Sequence, residues 1–167
     1  EGVLGERARF RNAMLSYYRG DFEWAQEQFD ILKTATSKLI SNDAIDRSVF
    51  IMDNLGLDTT DIPLRMFAIS EQLIFQNRFD EAFDKMDSIL ILFPEHGLED
   101  DILYNKANIF RKQKKYDTAI AAYDSIILNY PEEIRADNSI FELAELYEKV
   151  LLKPEKAKVL YEKLFLD

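Results

Sequence analysis

The chain has no cysteine, and this rules out disulfides and thiolate metal sites without choosing a compartment. Glycine occurs five times and proline four, too few for the turns of a hairpin-rich β fold. The five glycines also lie apart, so no phosphate-cradling glycine loop exists. The single histidine, His96, sits in "PEHGLEDD" without partners at the spacings that a catalytic triad or a zinc site needs. Net charge is −10, and a chain this acidic lacks the basic face that nucleic acid requires. The local exception, Arg111, Lys112, Lys114 and Lys115, falls at the end of a predicted helix, where cations complement the negative pole. No apolar run approaches the ~20 residues of a membrane span, so direct membrane insertion is not expected. No segment has the form of a secretory leader. The chain opens on Glu1 rather than methionine and stops in an apolar helix, and we read it as a fragment of a longer or processed protein.

What is abundant is helix-forming and apolar. Hydrophobic residues make up 47% of the 167 residues, enough for a sizeable core. One segment is written twice, 37 residues apart: "NRFDEAFDKMDSILILFP" from Asn77 and "KKYDTAIAAYDSIILNYP" from Lys114. Taking Ala82 and Ala119 as anchors, Ala25 and Ala157 have the same surroundings. Each is followed at +4 by a large residue (Phe29, Met86, Tyr123, Tyr161) and at +7 by an aliphatic one (Leu32, Ile89, Ile126, Leu164). Offsets 0, 4 and 7 share one helical face. Upstream lies a second helical stretch with a small residue, Ala13, Ser70, Ala107 or Ala144, three positions after an aromatic, Phe10, Phe67, Tyr104 or Phe141. The breaks "RGDF", "QNRF", "QKKY" and "LLKP" join the two into antiparallel hairpins. Small residues at fixed places let helices approach while large ones interlock.

The step from Ala25 to Ala82 is 57 residues, 20 longer than the regular one. The excess holds an extra helix near 43–55, with Ile45, Val49, Met52 and Leu55 on one face, Gly56 as terminator and Thr60 or Asp61 capping the next helix. The pattern predicts about nine helices, near 3–19, 22–40, 43–55, 62–76, 79–92, 98–113, 116–129, 134–149 and 154–166.

The pattern A-x3-[large]…P, with a small residue twelve positions before the alanine, resembles the tetratricopeptide repeat. The family's usual tryptophan and Leu-Gly pair are missing from the first helices. The resemblance implies an all-α, right-handed α-solenoid of helical hairpins: a single array over 1–167, with repeats at 3–40, 62–94, 98–131 and 134–166. It implies a non-catalytic scaffold that binds another protein or peptide segment on its concave face, with no cofactor and no metal. The alternative is a structural spacer or self-associating segment, meeting a second copy or further repeats through its terminal helices, where Val159, Leu160, Leu164 and Phe165 are apolar. Longer-spaced repeats ending in "FP" or "YP" resemble those of Gram-negative envelope proteins, implying bacterial periplasm or cell envelope rather than cytoplasm.

Other chemistry finds no support. Glu99, Asp100, Asp101, Glu132 and Glu133 fall at helix starts, where carboxylates stabilise the positive pole by about 0.3–1 kcal/mol. Asp53, Asn54, Asp58 and Asp61 lack the alternation and closing glutamate of a calcium loop. By the resemblance, the first helix of each repeat lines the binding face, and the candidate partner-binding residues are Tyr17, Tyr18, Phe67, Glu71, Ile74, Phe75, Tyr104, Asn108, Arg111, Lys112 and Glu145. A carboxylate clamp of the family's chaperone-binding kind is not expected, because only Asn108, Arg111 and Lys112 suit it and all fall in one repeat. The aromatic column Phe10, Phe67, Tyr104 and Phe141 fits either packing between repeats or contact with a ligand.

Overall fold

A computed structural model describes residues 2–55, 60–94 and 96–166, the last without the Leu166 side chain. The described residues form nine α-helices and one π-helical turn, with no strand: α1 Val3–Arg19, α2 Phe22–Leu32, α3 Lys38–Leu55, α4 Ile62–Phe75, α5 Phe79–Leu92, α6 Glu99–Lys112, α7 Tyr116–Asn129, α8 Ile134–Glu145, the π turn Leu146–Val150, and α9 Pro154–Leu166. The chain is all-α and built from consecutive helical hairpins, as a helical-repeat solenoid requires. It divides into two compact units, Glu1–His96 and Gly97–Asp167. The first holds hairpins α1–α2 and α4–α5 with α3 between them; the second holds α6–α7 and α8–α9.

The anchors behave as their spacing demands. Ala13, Ala25, Ser70, Ala82, Ala107, Ala119 and Ala144 are fully buried, and Ala157 is 1% exposed. The +4 and +7 residues Phe29, Leu32, Met86, Ile89, Tyr123 and Ile126 are buried beside them. Burial of such a side chain contributes about 1.5–3 kcal/mol, so this stripe stabilises the first three hairpins strongly, while Tyr161 and Leu164 of the fourth are half-buried.

Three hairpins turn in one way. Gly20, Asn77 and Lys114 have φ of 81°, 59° and 60°. The next residue's N–H then reaches back five positions, Asp21 to Ser16, Arg78 to Leu73 and Lys115 to Phe110, each at 2.9 Å. This is the left-handed helix ending that satisfies the last carbonyls. Gly20 is the least strained of the three, and a Cβ there would also displace the end of the Arg65 side chain, whose Nη1 lies 2.0 Å from that position. The fourth hairpin is one residue longer: Ala144 and Ala157 stand 13 apart, against 12 in the others, which departs from the expected pattern. The π turn takes up the extra residue, with Leu151 N–H bonding Leu146 O at 3.0 Å. The left-handed position passes to Leu152, φ 52°, and Ala157 still reaches its buried place.

Two sequence expectations need correction. The second helix ends at Leu32 rather than near residue 40, and the extra helix begins at Lys38 rather than 43. The cause lies in "TATS" (34–37). The Glu6 carboxylate accepts the Thr36 N–H at 2.8 Å, the Ser37 N–H at 3.2 Å and the Thr36 hydroxyl. Ser37 Oγ accepts the Ile40 N–H at 3.5 Å, capping α3. The buried stripe of α3 is also Ile40, Ala44, Ser48 and Ile51, while Ile45 and Met52 are exposed and Val49 and Leu55 half-buried. Small Ala44 and Ser48 admit α2 closely, and the Ser48 hydroxyl donates to Asp30 at 2.6 Å. With this face α3 packs on α2 and reaches α1, as α8 packs on α7 and reaches α6. It acts as a first helix without a second. Asp61 stands at the start of α4, where its carboxylate holds Arg65 at 2.7 Å and the Thr60 hydroxyl takes the Ile62 N–H at 3.3 Å. Gly56 and Asp58 lie outside the described residues.

A left-handed backbone costs a residue with a Cβ about 1–2 kcal/mol, partly offset in glycine by its extra unfolded-state entropy. Lys114→Gly is therefore expected to raise stability by about 0.5–1 kcal/mol in urea unfolding, while Ala121→Gly, in mid-helix, lowers it by a similar amount. Its three hydrogen bonds hold Glu6 below the ordinary value of 4.5, led by the Thr36 hydroxyl. The stabilisation is complete above that value and is lost as pH falls below it. Wild type should lose more melting temperature than Glu6→Gln on going from neutral to below the ordinary carboxylate range.

Candidate functional site

In the first unit the candidates gather around an arginine that sequence reasoning missed. Arg47, on α3, pairs with Glu71 of α4 at 2.9 Å. Its guanidinium lies 5.6 Å from the Tyr17 ring centre and 6.0 Å from that of Phe50. Tyr17 packs on Tyr18 at 5.7 Å, Phe22 at 5.6 Å and Phe50 at 6.5 Å, and Phe50 on Phe67 at 5.4 Å. Tyr17 is fully buried and Phe67 is 1% exposed, so neither offers a surface to a partner, and both leave the candidate set. They are core because α3 and α4 close over the end of α1. Tyr18 and Ile74 are half-buried, and Phe75 is 77% exposed. Burial, then the nearby Glu71 charge, push the Tyr18 phenol up, with Arg47 partly opposing. Burial opposes the Arg47 charge, but the neighbouring Glu71 carboxylate outweighs it and pushes the guanidinium above its ordinary value.

The second unit brings the other candidates onto one face of α6 and α8. Arg111 pairs with Glu142, and with Glu145 at 3.5 Å; Glu145 also pairs with Lys149. Lys149 first, then Arg111, hold the Glu145 carboxyl below its ordinary range. At the other end of the face Asp101 pairs with Arg135, whose guanidinium lies 5.1 Å above the Tyr104 ring. Tyr104 meets Tyr123 at 6.2 Å, and the Tyr123 hydroxyl donates to Asn108 Oδ1 at 2.6 Å. Burial, with Tyr104 beside it, pushes the Tyr123 phenol up to about 12. Lys112 is exposed. Phe141 is 47% exposed and meets Tyr161 edge-on at 6.0 Å.

The expected cation and anion therefore meet each other first. Arg135 and Glu142 went unnoticed because their partners are distant in sequence, but a signal was present. Asp101–Arg135 and Arg111–Glu145 both join opposite charges 34 residues apart, one helical turn short of the 37-residue repeat. The aromatic column divides: Phe67 is core, Phe10 packs on Phe29 at 5.3 Å, Tyr104 is half-buried and Phe141 partly open. A separate open cleft of about 660 Å³, lined by Phe22, Trp24, Asp61 and Arg65 among others, lies at the turn end of the first unit and takes in none of the expected residues. Among the described residues no group of three or more His, Asp or Glu is placed to hold a metal, and no helix is long and apolar enough to cross a membrane.

Removing one partner of a semi-buried pair leaves the other uncompensated. Arg47→Ala should cost about 2–3 kcal/mol in urea unfolding, and Glu71→Ala made on top of it should add little, as a double-mutant cycle would read.

No curated protein matches the chain. Residues 101–133, which take in most of α6, all of α7 and the link that follows, match the family profile of the tetratricopeptide repeat. The α6–α7 hairpin, with Ala107 and Ala119 in one buried cluster, is thus similar to a tetratricopeptide repeat, a non-catalytic fold whose members are generally protein–protein interaction modules.

Proposed function

We propose that the chain is an interaction scaffold that docks a segment of another protein on the first-helix face of Gly97–Asp167. The tetratricopeptide match over 101–133 carries this reading, because it falls on the helix that supplies Tyr104, Asn108, Arg111 and Lys112. Glu145 and the half-exposed Phe141 continue the face on α8. Its ion pairs and the Asn108–Tyr123 bond fix these side chains before a partner arrives, which lowers the entropic cost of binding. Aromatic rings between charged pairs suit an extended or helical segment with spaced apolar anchors and charges of both signs. Tyr18, Ile74 and Phe75 form a second candidate surface in the first unit.

Capture with the chain as bait, repeated with surface variants, tests this. Phe141→Asp and Lys112→Glu should each weaken retention of the same captured protein at least about tenfold, since aromatic and charged anchors dominate such interfaces. Phe75→Ser should leave it unchanged. Equal retention by all variants would move the binding site off this face.

A further inference from the structure

The contact of α8 with the α6–α7 hairpin is a template for two helix faces that are exposed in this chain. In the template Ile120 and Ile127 pack against a buried cluster that joins Tyr123 of α7 to Leu143 of α8, and Arg111 at the end of α6 pairs with Glu142. Counting on from Ala107 to Ala144, and from Ala119 to Ala157, finds the counterparts of the receiving side. Glu148 stands for Arg111, and Lys158, Tyr161 and Phe165 for Ile120, Tyr123 and Ile127. Tyr123 is fully buried but Tyr161 only half; Ile127 is half-buried but Phe165 is 88% exposed. Glu148, Ala157, Lys158, Tyr161 and Phe165 line an open groove of about 370 Å³, where the template seats a helix.

Counting back from Ala144 to Ala13 finds the counterparts of the inserting side on α1. Gly5, Ala8, Arg11 and Asn12 stand for Ala136, Ser139, Glu142 and Leu143. Ala136, Ser139 and Leu143 are buried, while all four α1 residues are exposed.

The substitutions on the two faces compensate each other. Where the template pairs Arg111 with Glu142, the exposed faces offer Glu148 and Arg11, the same pair with its signs exchanged. Ile127 has become the larger Phe165, while the inserting face has lost bulk, with Gly5 and Ala8 in the places of Ala136 and Ser139. Ile120 and Leu143 have both become polar, as Lys158 and Asn12. The receiving groove carries charges of both signs, Glu148 and Glu162 beside Lys158, so Arg11 finds its complement at Glu148, whose carboxylate also accepts the Tyr161 hydroxyl at 2.9 Å. We infer that α1 of one copy seats in the α8–α9 groove of a second, giving head-to-tail self-association. Such an interface is heterologous, and unless its rotation closes a ring it produces open-ended chains.

Sedimentation velocity from micromolar to millimolar concentration tests the inference, with circular dichroism confirming that each variant is folded. Wild type should show a weight-average mass that rises continuously with concentration. Phe165→Asp, at a residue that is a surface position in the single copy, should remain monomeric throughout. Arg11→Glu and Glu148→Arg should each weaken association about fivefold, and the two combined should restore it. A wild-type chain that stays monomeric at millimolar concentration overturns the proposal, as does association that survives Phe165→Asp or a double variant no better than the singles.

Discussion

Eight small residues set the distance between helices in all four hairpins. Ala13 with Ala25, Ser70 with Ala82, Ala107 with Ala119 and Ala144 with Ala157 are at most 1% exposed. A methyl or hydroxymethyl group at such a crossing is what allows the +4 and +7 side chains to meet across it. A larger residue there would force the axes apart and open every neighbouring contact, at about 1–3 kcal/mol. The identical succession of buried and exposed positions along α5 and α7 follows from this one constraint. Those helices agree at few side chains beyond the stripe, so the alternation is set by where the anchor sits rather than by the identity of its neighbours.

The fold protects that distance where the sequence breaks its own spacing. An extra residue between Ala144 and Ala157 would turn α9 by about 100° if carried forward in helical register. The π turn at Leu146–Val150 absorbs it before α9 begins. The cost is moved to Leu152, which takes the left-handed position filled elsewhere by Gly20, Asn77 and Lys114. The 20-residue excess before Ala82 is handled differently: α3 takes a first helix's place on α2, and α4 then packs on α1 as well as on α3. In each case the irregularity sits outside the hairpin crossing.

Helix number and hairpin pairing were legible in the sequence because the alanine–large–aliphatic stripe is local and periodic. The α2–α3 boundary was not, since its decisive group is the Glu6 carboxylate, thirty residues from Thr36. The face of α3 was misjudged for a related reason. Large apolar residues mark a stripe most visibly, but α3 packs through Ala44 and Ser48, which a search weighted by hydrophobicity passes over. At the candidate site, sequence named Arg111 and Glu145 as groups for a partner and could not see that they pair with each other. It counted Tyr17 and Phe67 among the partner-binding candidates, Phe67 with packing as the other reading, because nothing in a first helix records that another helix will cover it.

The small anchors fix a distance but carry no identity, since any first helix of this kind offers one. Charge supplies what they lack. Along α6 the acid Asp101 comes early and Arg111 late; along α8 Arg135 comes early and Glu142 and Glu145 late. Set side by side in their native register, the helices match opposite signs at both ends. A second helix charged like α6 in the place of α8 would put acid against acid and arginine against arginine, and half-buried charges left so mismatched are costly. The order of α6 and α8 is therefore favoured by charges offset by one turn from the repeat, and Arg135 of one such pair also covers the Tyr104 ring on the face between them. Packing makes the hairpins equivalent, and the polar groups on the first helices make each of them particular.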